Sequence, residues 1–318
     1  MRITSKQAHH CLQNADLCSK LVSLQPVARW ILLPFRVSLL MNKGNPLPSF
    51  SVNHMTMAKA SYQELLDVAS GLDCVGVELR TDLEGDLFDG STANAAAESA
   101  QSQGLRILAL SEVSAFNHVT EQKLTEAESL MKTAHACGAE AISLIPRNDA
   151  QYTDYTVRKQ HLREALIALE PLLRSYNLIG LIEPLGFDTS SLRYKCDIVD
   201  IIDSLGAKES FKLVHDTFHH HLSGEWEFYP AHTGIVHVSG VCDSSLSVQE
   251  MQDSHRMLVD ETDCLDNIGQ INSLLDGGYS GPFSFEAFSP RVHAFTDPKA
   301  ELFGSINHIT SSLANGMI

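Results

Sequence analysis

From Phe50 onward the chain alternates short apolar, β-branched runs with stretches of helical periodicity, and this alternation limits the fold more than any other feature. The predicted strands are residues 50–55, 74–79, 106–110, 139–145, 179–183, 212–216, 234–238 and 282–286. The helices between them have legible ends. Ser61 and Glu64 form a capping-box pattern for a helix that stops near Gly71. Residues 93–103 stop at Gly104, 121–137 run from a Thr120 cap to Gly138, and 198–205 stop at Gly206. Residues 157–176 carry Leu162, Leu166, Leu169, Leu172 and Leu173 at helical spacing. Residues 266–275 and 297–313 complete the set.

Eight βα units in succession, with no long polar linker inside them, predict an α/β fold of the closed (β/α)8 TIM-barrel type. The 318 residues suit roughly two ordinary domains or one barrel of about 250 residues plus an appendage. An open doubly wound sheet is the alternative, but the G-x-G-x-x-G turn expected of it is absent. The unit at 222–233 has a short helix. Residues 241–265 read as a long polar loop after the seventh strand, of a length usually tied to function or disorder.

The barrel is assigned to residues 46–318 and an N-terminal extension to 1–45. The first forty residues carry Arg2, Lys6, Lys20, Arg29 and Arg36 against the single acid Asp16. Their apolar patch at 30–35 is far short of the ~20 residues a membrane span needs. Three readings stay open: an extension or a start placed too early (with Met41 as the first residue), a docking arm, or a targeting peptide.

Charge and thiols narrow the function classes. A formal net charge of −16 opposes nucleic-acid binding, which needs clustered Lys and Arg. It suits a small neutral substrate or a bound cation. The 7 cysteines are odd in number and widely spaced, with no C-x-x-C, so reduced thiols and a cytoplasmic location are expected. No G-x-S-x-G, H-E-x-x-H, EF-hand or P-loop pattern occurs.

In a barrel of this type the chemistry sits at the C-terminal ends of the strands. Four successive predicted strands end on metal-type residues: Glu183, Asp216, His237 and Glu286. Each follows an apolar run that should be buried, where an ionised carboxylate is costly unless paired or bound to a cation. Taken singly, such a residue is more often a structural hydrogen-bond partner, and Arg80, Arg147 or Arg291 could neutralise it. Four together point to one divalent metal ion. Three oxygens and an imidazole suit Mn²⁺, Zn²⁺ or Co²⁺, with Mg²⁺ less well matched. His219 lies three residues past Asp216 and could reach a ligand held by the metal. An extended 219–221 segment would point His219 and His221 one way and His220 the other.

At these residues the chain resembles the xylose-isomerase-like TIM-barrel superfamily of sugar isomerases and epimerases, and more narrowly its inosose isomerase (2-keto-myo-inositol isomerase) branch. The matching segments are Val75-Gly76-Val77-Glu78-Leu79-Arg80, Ile182-Glu183-Pro184-Leu185-Gly186-Phe187, Asp216-Thr217-Phe218-His219-His220-His221, Val236-His237-Val238-Ser239-Gly240-Val241 and Gly281-Pro282-Phe283-Ser284-Phe285-Glu286. The resemblance covers about residues 50–313. It implies Glu183, Asp216, His237 and Glu286 as metal ligands, with Glu183 and Glu286 also in the places of the proton-transferring pair. It places His219 against a substrate oxygen and makes Arg80, Asn53 and Arg291 pocket residues. The DNA-repair branch of the same barrel uses further His and Asp ligands, whereas here the strand-seven motif continues as Ser239-Gly240-Val241 with no second ligand pair close by.

The implied activity is metal-dependent isomerisation of a keto-inositol or related keto-sugar by proton transfer through an enediolate, as in inositol catabolism. A keto-sugar 3-epimerase uses the same residues and is the nearest alternative. A non-catalytic sugar-binding barrel is the alternative from another class, and the intact tetrad argues against it. The expected partner is a small polyol or keto-sugar, with no nucleic acid and no membrane. Barrels of this family often associate as dimers or tetramers.

Overall fold

Eight parallel strands, buried along nearly their whole length, close into one sheet, as expected where both faces are covered. The computed structural model describes residues 41–42, 45–151 and 154–315, so the expectation for the N-terminal extension lies almost wholly outside the described residues. Residues 39–318 form one compact unit. Among the described residues, the parallel barrel consists of β1 Ser49–Asn53, β2 Gly76–Arg80, β3 Arg106–Ser114, β4 Ala141–Ile145, β5 Ile179–Ile182, β6 Phe211–Asp216, β7 Thr233–Val238 and β8 Pro282–Phe285. Each strand pairs with its chain neighbours, and β8 returns to β1. The helices are α1 Tyr62–Ser70, α2 Ala93–Ser102, α3 Glu121–Ala136, α4 Tyr155–Tyr176, α5 Lys195–Leu205, α6 Thr217–Ser223, α7 Asn267–Asp276 and α8 Pro298–Asn315. The fold is the expected TIM barrel. None of these helices is long and apolar enough to cross a membrane.

Alternation sorts the strand residues into two environments. Ile182, Leu213, Val236, Phe283 and Phe285 join one large cluster with helix residues such as Leu166, Leu173, Ile198, Ile202 and Leu274. Leu181, Val214 and Ile235 pack with Leu108, Ala109 and Ala141 in a second, smaller cluster. Glu183, Asp216 and His237 each lie two residues beyond a member of that second set. They therefore continue the same strand face past its apolar floor to the C-terminal mouth. Strand register sets their level, because Asp216 pairs with His237, and His237 with Ser284.

Helix starts follow the sequence signals. Ser61 forms the capping box with Glu64, and Thr92, Thr120 and Asp154 cap α2, α3 and α4. Three elements differ from expectation. Strand β3 continues past Leu110 to Ser114 through a register shift, and Ser111 Oγ donates to Ser143 Oγ at 2.9 Å. Helix α5 begins at Lys195 without a side-chain cap of its own, because Glu225 accepts from the Lys195 and Cys196 amides. The segment after Asp216 is the helix α6, not an extended exit. Asp216 Oδ1 accepts from the His219 amide at 2.9 Å, and Gly224 ends the turn in the left-handed region. The alternation assumed for His219 to His221 is thereby corrected to helical spacing.

Candidate metal centre

The four expected ligands meet at the barrel mouth. Glu183, Asp216, His237 and Glu286 each offer one ligand atom, and these atoms lie within 4.8 Å of one another. All four residues are buried. His237 Nδ1 faces Glu286 Oε2 at 3.0 Å, Glu183 Oε1 at 3.7 Å and Asp216 Oδ2 at 3.9 Å, and makes no aligned hydrogen bond with any of them. A buried imidazole nitrogen without a hydrogen bond, turned toward three carboxylates, is a donor set that fits a divalent cation.

The cluster's electrostatics pull its members apart. Burial opposes a charge on His237, but Glu286, Glu78 and Glu183 outweigh it and hold the imidazole well above its ordinary pKa. Burial, then the Glu286 charge, pushes Glu183 up to about 7. Burial acts on Glu286 in the same sense, yet His237, Arg256 and Arg80 overcome it and keep this carboxyl below its usual range.

Other expected site residues fall around the four. His219, on α6, has Nε2 3.9 Å from Glu183 Oε1, and its ring packs edge-on against Phe187. Asn53 donates to Glu286 Oε1 at 3.2 Å and accepts from the Met55 amide. Arg80 donates to Glu286 Oε1 at 2.9 Å, to Glu112 at 3.1 Å and to both Asp82 oxygens at 2.8 Å. Asn53 and Arg80 thus orient the Glu286 carboxylate. Arg291 is exposed just before the Val292–Ala294 turn, and none of the contacts above includes it. Cavities of about 430 Å³ beside Arg80 and about 380 Å³ beside Phe187 and Asp253 open on the same face.

Two residues of the centre went unassigned in the sequence. Glu78, on β2, is fully buried, and its Oε2 lies 3.1 Å from His237 Nε2. It fixes the ring so that Nδ1 is left for a metal. Its signal was a carboxylate between Val77 and Leu79 inside a strand. Arg256 is 1% exposed and donates to Ser239 Oγ, Asp216 Oδ2 and Glu286 Oε2. Its guanidinium carbon sits 4.5 Å from the Phe288 ring centre. The segment at 241–265 is therefore less of a polar loop than expected. Gly240 and Met257 form an antiparallel bridge, and Leu258 and Val259 are buried, which seats Arg256 inside. The Met257-Leu258-Val259 run was the available signal.

Glu78→Gln is expected to weaken the binding of a divalent cation, probed with zinc, about 10–100-fold, the usual cost of losing a ligand's outer partner. Competition with a chromophoric chelator would measure it, and an unchanged affinity would remove Glu78 from the centre.

Comparison with known proteins gives the same architecture. The family model described as xylose isomerase-like TIM barrel matches residues 66–311. A xylose isomerase domain containing protein from Salmonella typhimurium LT2 is 32% identical, with 84% of this chain and 97% of that one covered, at a TM-score of 0.75. The IolI protein, solved with a binding zinc atom, is 19% identical over 85% of this chain and 99% of its own, at a TM-score of 0.73. An L-ribulose 3-epimerase is 14% identical over 85% and 97%, at a TM-score of 0.63. Below 25% identity these likenesses establish the fold alone. None of the curated proteins matches the sequence.

Proposed function

The chain belongs to the xylose isomerase-like TIM-barrel family, and on that premise we propose that it is a divalent-metal-dependent isomerase of a keto-inositol or closely related keto-sugar. The observation that carries the reading is the convergence of Glu183, Asp216, His237 and Glu286 within 4.8 Å. These residues would hold the metal, with Glu78 behind His237. When bound, the metal supplies Lewis-acid polarisation of the substrate carbonyl.

The chain's own groups do the rest. One of Glu183 and Glu286 removes the proton next to the carbonyl, and the other returns a proton. His219, beside Glu183, donates to a substrate oxygen. Proton return to the neighbouring carbon of the enediolate, with its hydroxyl proton passing to the former carbonyl oxygen, moves the carbonyl, which is isomerisation. Return to the same carbon from the opposite face is epimerisation. The zinc-bearing IolI and the L-ribulose 3-epimerase share this barrel, so both outcomes belong in one assay.

That assay is solvent-deuterium incorporation followed by NMR, with metal-reconstituted protein, 2-keto-myo-inositol and a panel of ketohexoses. Exchange into the inosose that a chelator abolishes and added metal restores is the expected result. Exchange into a ketohexose alone would replace the reading with a 3-epimerase. No exchange with any of them would leave a sugar-binding barrel.

A further inference from the structure

Behind the metal centre lies a buried polar group that the proposed chemistry does not use. Lys195 is the first residue of α5 and is only 2% exposed. A buried ammonium at a helix N-terminus is doubly disfavoured, by desolvation and by the helix dipole. Two partners offset this. Lys195 Nζ donates to His220 Nδ1 at 2.5 Å and lies 3.3 Å from Glu225 Oε2. The Glu225 carboxylate, itself 8% exposed, also accepts from the Lys195 and Cys196 amides at 3.0 Å each. The His220 ring packs 4.7 Å from both the His215 and Phe228 rings. Burial lowers the Lys195 ammonium to about 8 and, with the nearby Lys195 charge, the His220 imidazole to about 3.

Lys195 therefore binds both the C-terminal half of α6 and the segment that follows it. Helix α6 has 7 residues, too few to hold its own shape in water. Its first turn is held by the Asp216 cap and its end by Lys195 and Glu225. His219 lies between these two anchors, its Nδ1 buried without a hydrogen bond and its Nε2 directed at Glu183.

We propose that Lys195 is a positioning residue that, through His220 and Glu225, holds α6 and so aims the His219 imidazole at Glu183. The consequence for turnover rests on the isomerase reading. The structural claim does not.

The test uses metal-loaded full chain labelled with ¹⁵N-histidine. Long-range ¹H–¹⁵N spectra, assigned with His219→Ala and His220→Asn, should show the His219 ring displaced in Lys195→Met as well as the His220 ring. A spectrum in which only His220 moves would overturn the proposal whether or not the protein turns over a sugar. In the exchange assay, Lys195→Met should lose tenfold or more. Added to His219→Ala, it should cost less than a further twofold. Fully multiplicative losses would show that Lys195 does not act through His219, and would also overturn the proposal. Absence of exchange by the wild-type chain would sink the isomerase reading and leave the spectra to decide on Lys195. Should Lys195→Met not fold, Lys195→Gln combined with Glu225→Gln removes both buried charges together, and its spectra are read in the same way.

Discussion

Glu183→Gln and Glu286→Gln are each expected to cut solvent-proton exchange by about 10²–10⁴-fold, the range typical of a lost general acid or base. The amide keeps the shape of the side chain and a carbonyl oxygen for a metal, but it cannot carry the proton. Zinc stoichiometry, measured alongside, should stay near that of wild type. Near-normal exchange by either variant with zinc bound would rule out a two-carboxylate mechanism.

Stability should separate the two variants. Glu183 is pushed up by burial and by Glu286, so neutralising it removes an unfavourable charge, and the metal-free protein should lose little or gain. Glu286 accepts from Asn53, Arg80 and Arg256, two of them buried cations. Its amide leaves those donors poorly matched, and Glu286→Gln should melt lower.

Arg256→Met should lower the melting temperature of the metal-free protein by roughly 10 °C. Removing one member of a buried ion pair typically costs about 3–5 kcal/mol, because the partner charge is left without compensation. In a domain of this size each kcal/mol is worth about 2–4 °C. Here the stranded charges are Asp216 and Glu286, both proposed as metal ligands, so a bound cation would compensate the same oxygens. Calorimetry with and without zinc should therefore find a clearly smaller loss in the zinc-loaded variant. Equal losses in both forms would mean that Arg256 and the metal do not share these carboxylates, and that the guanidinium matters only through its packing on Phe288 and Phe218.

The barrel and its four convergent residues were legible in the sequence because both rest on local rules. A strand declares itself over five residues by composition and alternation. A helix declares its ends through Ser61, Thr120, Gly138 or Gly206. Once eight such units are counted, closure follows, and the last inward residue of each strand must point into the mouth. Glu183, Asp216, His237 and Glu286 could be named on that argument because each terminates an apolar run.

The partners of those residues were not legible in the same way. Glu78 meets His237 across 159 positions of chain, and Arg80 meets Glu286 across 206. Arg256 reads as one charge in a polar stretch until the bridge from Gly240 to Met257 turns it inward. Lys195 is enclosed by His220 and Glu225, 25 and 30 positions further along the chain. The helical form of 217–223 depends on an Asp216 oxygen serving as a cap while its neighbour faces the cluster.

What the sequence by itself determined was the order of the strands, the helices other than α6, and the strand ends that meet at the mouth. These follow from hydrophobic periodicity and capping, which act within a few residues. Only the tertiary structure decided which buried charge compensates which. A buried carboxylate must find its counter-charge wherever the closed barrel brings one, and distance along the chain plays no part in that choice.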